Sequence, residues 1–218
     1  MTTTRITQIV IGLVLALGLP FCHLGDLGRN LFGPLWGGEV LWWALFAAVI
    51  AYVAFVEHKA LSSIGYRAPG TMDIVLGVIA GIVAVMGIGF AFQVVLPAMH
   101  LGVNRQLGAL IATPLLFRVA TVTRAAVVEE TLFRGYGFER LAELTKSPLA
   151  AALLTWVLFS MAHLQSWGWG QVIIAAWGGL VLTVLYLWRR NLWANIICHW
   201  LTDGTGFILM PLLMAHHS

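Results

Sequence analysis

Apolar runs of membrane-crossing length succeed one another along this chain and leave it little choice of architecture. They cover residues 6–22, 40–56, 72–96, 111 to about 135, 149 to about 163, 172–188 and 192 to about 214. A bilayer crossing by an α-helix takes about 20 predominantly apolar residues. Hydrophobic residues make up 60% of the chain, charged residues only 10%, and the mean hydropathy is +0.90. In hydrocarbon every backbone N–H and C=O must be satisfied within the protein, so such segments cross as helices unless they alternate as barrel strands do. No such alternation is present. The expected fold is all-α: a polytopic membrane bundle of seven helices, or eight if the last run breaks at Gly204-Thr205-Gly206. It forms one domain over 1–218, with N-terminal helices in 1–110 and a polar-residue-bearing core in 111–218.

Charge sets the orientation and excludes some partners. Arg5, Lys59, Arg67, Arg140, Lys146, Arg189 and Arg190 fall on one face of the alternating topology, and Arg29 and Arg105 on the other. The positive-inside rule makes the first face, and with it the N-terminus, cytoplasmic. The first run follows Arg5 but has no small-residue cleavage site after Cys22, so it is read as a retained helix. The net charge of +3 comes without a basic stripe, which argues against a nucleic-acid partner and leaves the bilayer as the natural surroundings. Cys22 and Cys198 are lone thiols in apolar settings, and neither a disulfide nor a Cys-based metal site is expected.

Against this background Glu129-Glu130 is an anomaly. Ionised groups within a membrane segment are costly unless paired or watered, and they mark functional sites by default. Glu130 and Arg134 are four apart and share a helix face, which predicts a charge pair. Glu129 is turned about 100° away. Left without a countercharge in low dielectric, its carboxyl would have a raised pKa, suited to general acid–base work. His163, His199 and Asp203 are the other polar groups deep in the second half. Taken singly, each is as readily a packing residue as a functional one. Position joins them: Glu129 lies 17 residues before Lys146 and His163 lies 17 after it, so a hairpin turning at Thr145-Lys146-Ser147-Pro148 sets both at one depth. His199, nine residues past Arg190, falls at a similar depth, roughly 10–15 Å below the cytoplasmic surface at about 1.5 Å per residue.

Two chemistries fit one Glu, two His and one Asp at one depth. Glu129 and His163 can orient a water and take its proton, while His199 and Asp203 stabilise the oxyanion of a scissile amide. Asp203 donates a hydrogen bond only when protonated; otherwise it orients His199. Alternatively Glu129, His163 and His199 hold a divalent metal such as zinc, with a position open for water. The chain has no H-E-x-x-H.

Three ordered motifs, Glu129-Glu130-Thr131-Leu132-Phe133-Arg134, Phe159-Ser160-Met161-Ala162-His163 and His199-Trp200-Leu201-Thr202-Asp203, resemble the E-E-x-x-x-R, F-x-x-x-H and H-x-x-x-N/D motifs of the CPBP intramembrane proteases. That family includes CAAX-processing endopeptidases and bacteriocin-processing or self-immunity proteins. Leu61-Ser62-Ser63-Ile64-Gly65-Tyr66-Arg67 is similar to a short loop found before the third span. The resemblance implies an endopeptidase acting on a membrane-associated protein or peptide from a cavity open to the cytoplasm. It implies Glu129 and His163 as the water-activating pair, His199 and residue 203 as the oxyanion site, and Glu130, Arg134 and Phe159 in support. Eukaryotic members have Asn at the position of Asp203. A non-catalytic scaffold or immunity protein, and a proton-coupled carrier, are the competing classes; no inverted repeat favours a carrier.

Among the remaining residues, Arg118 is expected to snorkel to the outer interface, and Arg124 to need a partner such as Asp203 or Asp73 or to line a watered cavity. His23, His58 and His100 read as solvated turn residues, and His216 and His217 carry no assignment. Gly77, Gly81, Gly87 and Gly89, with Gly178-Gly179, read as close-packing surfaces between helices.

Overall fold

The computed structural model describes residues 1–102 and 105–215; His216 and His217 lie outside the described residues. Every described element is helical. α1 (Thr3–Phe21), α3 (Gly37–Val56), α4 (Thr71–Ala98), α7 (Pro148–Arg189) and α8 (Leu192–Met214) are each long and apolar enough to cross a membrane. Short helices α2 (Leu24–Phe32) and α5 (Arg105–Ile111) cap the end opposite the N-terminus. Helix α6 runs over 115–145 and is more charged than the five, because it carries the Glu129–Arg134 cluster.

At about 1.5 Å per residue, 42 residues of straight helix would be twice the thickness of a bilayer core. α7 instead folds back at Gly168, whose φ of 75° suits glycine and strains other residues. Its arms, 148–167 and 169–189, run side by side, and the Trp156 indole N–H donates to the Ala176 carbonyl across them at 2.8 Å. The final helix does not break at Gly204: it continues through a π-helical stretch, Thr205–Leu209, so the eighth-span alternative has no break in the chain to support it.

The turn between α6 and α7 follows its sequence closely. Lys146 takes the left-handed conformation that ends a helix, and the Ser147 hydroxyl accepts from the Ala150 N–H at the next N-terminus. Pro148 occupies the first helical position, where its missing N–H costs nothing.

Gly77 and Gly81 bring α4 against α8. A Cβ on Gly77 would lie 2.7 Å from the Ala194 carbonyl oxygen, and one on Gly81 3.1 Å from Leu201. Gly87 faces the Trp177 indole, and Gly179 faces Phe159. Gly89 faces open space, and Gly178 makes only ordinary contact, so for those two the close-packing expectation does not hold.

Polar contacts lock the end that holds the chain's N-terminus. The Glu57 carboxylate accepts from Arg140 Nε and Nη2, from the Tyr136 hydroxyl and from Arg5 Nη1, all within 3.0 Å. Arg5 also forks onto both oxygens of Glu143, at 2.7 Å each. Arg140 reaches the Ser63 carbonyl in the tight turn Leu61–Ile64, and the Leu192 N–H donates to Gly65 of the same loop. Arg189 pairs with Asp73 and Arg190 with Glu139. His23, His58 and His100 are exposed, each at a turn with positive φ.

Candidate active site

The site is built on α6, both arms of α7, and α8. Arg134 donates to Glu130 at 2.9 Å, as their four-residue spacing predicts, and both side chains are buried completely or nearly so. Glu130 does more than hold Arg134. It also accepts from the Asn195 amide at 3.1 Å and faces His199 Nδ1 at 2.9 Å. Asn195 in turn donates to the Leu182 carbonyl. Asn195, His199 and Asp203 are spaced by four on one face of α8. Sequence reasoning missed Asn195, although its position one turn before His199 was the available signal.

Glu129 is not left without a countercharge. Arg124 Nη1 lies 3.0 Å from Glu129 Oε1 and Arg124 Nε 3.1 Å from Glu39 Oε2, while the Thr121 hydroxyl donates to the other Glu39 oxygen. The expectation that Glu129 stands without a countercharge therefore fails. Arg124 pairs with Glu39 and Glu129 in place of Asp203 or Asp73, and it lines the cavity. The cause is local helix geometry. Ala125–Glu129 and Thr131–Gly137 are π-helical, and a π turn brings residues i and i+5 onto one face. On an ideal α-helix residues 124 and 129 point about 140° apart. Arg118 also departs from expectation. It is buried, not snorkelling, and donates to the Phe207 carbonyl at 3.0 Å.

Phe159 is the spacer of the site. Its ring lies 4.9 Å from that of His163 and 6.2 Å from that of His199, with the Arg134 guanidinium 4.1 Å above it. His163 Nδ1 is 2.8 Å from the Phe159 carbonyl oxygen. That oxygen only accepts, so Nδ1 carries the proton and Nε2 keeps its lone pair for the cavity. His199 differs: Nδ1 faces Glu130, and Nε2 lies 3.5 Å from Asp203 Oδ2.

Glu129, His163, His199 and Asp203 line one cavity of about 120 Å³, together with Arg124 and Phe159. A second cavity, of about 190 Å³, adjoins it across Glu129 and His163 and is lined by His23, Asp26, Arg29 and Trp42. The polar side chains among these linings and the volumes suit ordered water.

Glu129, His163 and His199, the ligand set expected for a divalent metal, line one cavity. Among the described residues no three His, Cys, Asp or Glu side chains are grouped to hold an ion.

Fold and site together define an integral membrane protein whose polar residues converge on a cavity between helices. Residues 111–205, a stretch that contains all three motifs, match the family model described as type II CAAX prenyl endopeptidase Rce1-like, and the match supports the CPBP/CAAX protease family. The match supports a CAAX-type intramembrane endopeptidase in general terms. No curated protein and no solved structure matches the chain.

Proposed function

We propose that the cavity is a peptidase centre that hydrolyses a peptide bond of a membrane-associated protein or peptide with an activated water. One observation carries the reading: Glu129, His163, His199 and Asp203, from three helices, line a single cavity within the stretch that matches the protease family. The bundle crosses the membrane seven times, counting α6 and each arm of α7, with the N-terminus cytoplasmic by the positive-inside rule.

Glu129, held by Arg124, and His163, with Nε2 free, orient the water between them. As its oxygen attacks the scissile carbonyl carbon, its proton passes to this pair. The same proton is then returned to the leaving amine as the C–N bond breaks. The Glu130 carboxylate fixes the His199 ring through Nδ1. Asp203 faces Nε2 and, as a carboxylate, orients His199 and does not itself donate to an oxyanion. Glu130, Arg134, Asn195 and Phe159 are positioning residues.

The test is cleavage of a quenched-fluorescent peptide library by purified protein in detergent. Glu129→Gln and His163→Ala each lose activity by about 10²–10⁴-fold, the usual contribution of a positioned acid or base. Undiminished turnover in Glu129→Gln refutes the assignment. Full cellular function in that variant, together with an unchanged partner complex, assigns the protein to the non-catalytic class.

A further inference from the structure

We infer that the cavity opens at the end of the bundle opposite the basic residues, and so admits its substrate from the non-cytoplasmic face of the membrane. The rim residues carry the argument. The wider cavity is bordered by Pro20 through Arg29, where α1 turns into α2, and by Gln165 and Trp167 just before the fold-back at Gly168. The adjoining one reaches Leu110, at the end of α5. All three connections lie at one end. The side chains of His23 and Asp26 are 56% exposed and that of Arg29 50%, as suits a mouth.

The other end is sealed. Glu130, Leu132, Tyr136 and Phe138, which continue α6 past Glu129, are at most 1% exposed. Beyond them lie the ion pairs of Arg5, Glu57, Arg140 and Glu143. No lining residue of either cavity falls within 57–73, 138–148 or 186–192. His163 agrees: it sits five residues before Gly168, about 7–8 Å of rise, but fifteen after Pro148, about 22 Å.

Seven of the twelve Lys and Arg residues sit at the sealed end, against Arg29 and Arg105 at the open one. The bias is counted over short loops next to the spans, where it governs orientation, and it makes the sealed end cytoplasmic. The mouth is then extracytoplasmic, the reverse of the cytoplasmic opening that the family resemblance implies. A lipidated C-terminus made and kept in the cytoplasm would meet the closed end. The substrate class that can enter is a peptide, or a segment of a membrane protein, exposed on the outer face. This substrate assignment rests on the peptidase reading; the direction of opening does not.

The chain carries its own probe. Cys22 is exposed beside the mouth, and Cys198 is buried. In right-side-out vesicles from an expression host, a membrane-impermeant maleimide is expected to label Cys22 without permeabilisation. In a Cys22→Ser background, Asp26→Cys is expected to label in the same way, and Lys146→Cys, at the sealed end, only after permeabilisation. Labelling of Lys146→Cys in intact vesicles overturns the inference, as does failure of both Cys22 and Asp26→Cys to label there. Peptide cleavage plays no part in this readout. Inactive protein with the expected labelling therefore counts against the peptidase reading alone, and active protein with the reverse labelling against the direction of opening alone.

Discussion

Glu57→Gln is the most demanding test of how this bundle is held together. The Glu57 carboxylate is fully buried and takes the charge of Arg140, which is itself 2% exposed by side chain, through contacts of 2.6–3.0 Å. Arg5 has a second acid in Glu143, and Tyr136 keeps a neutral acceptor in Gln, so Arg140 bears nearly the whole loss. Breaking a buried pair on one side strands the other charge and costs about 3–5 kcal/mol. The surviving amide oxygen keeps one hydrogen bond, which favours the lower end, about 3 kcal/mol. That is roughly a hundredfold in the opening equilibrium. Cys198 reports it, since its thiol reaches a reagent only when α8 comes away from the bundle. In a Cys22→Ser background in detergent, maleimide modification of Cys198 is expected to quicken by about two powers of ten, and thermal unfolding to fall accordingly. Glu57→Gln with Arg140→Met should recover most of the loss, because removing both charges leaves no stranded ion. An unchanged Cys198 rate in the single variant, or a double variant worse than the single, refutes the reasoning.

Three further outcomes follow from the same contacts. The Arg5 guanidinium, hydrogen-bonded to Glu143, holds that carboxyl down to about 2 from its ordinary 4.5. Its contribution to stability is thus complete above pH 4.5 and disappears as pH falls through 2; Glu143→Gln should flatten the pH dependence of the melting temperature in that window. Gly12→Ala places a Cβ 1.7 Å from the Tyr136 hydroxyl and should cost about 1–3 kcal/mol by overpacking, read as a lowered melting temperature, whereas Gly89→Ala meets open space and should not. Asn195→Ala removes a hydrogen bond to the Glu130 carboxylate, of a kind worth about 1.5–3 kcal/mol, and should lower kcat about 10–100-fold with little change in KM, measured on the peptide that the parent protein cleaves.

The Glu130–Arg134 pair and the Lys146-Ser147-Pro148 turn were legible because each depends on a few consecutive residues and ideal helix geometry. The meeting of Arg124 with Glu129 was not legible. It depends on a π-helical turn, whose one-residue change of register leaves no periodic mark in an apolar run. Asn195 was passed over because, with no neighbours in view, a lone amide in a helix looks like a polar residue of no consequence; only the arrival of Glu130 from α6 makes it a partner.

By itself the sequence determined that the chain is helical and lives in a bilayer, because hydrocarbon tolerates no unpaired backbone, and that its few deep charges mark the place of interest. It also carried the ordered motif set that resembles that of the family. Tertiary structure alone decided which acid serves which base. It made Glu130 the hub for Arg134, Asn195 and His199, gave Glu129 a countercharge from Arg124, and left His163 Nε2 without a partner among the described residues. It also set the cavity between the exposed turns of one end and the ion-paired, sealed helices of the other. Those outcomes depend on which faces of α6, α7 and α8 come together, and side-chain contact across helices is written in no single stretch of the chain.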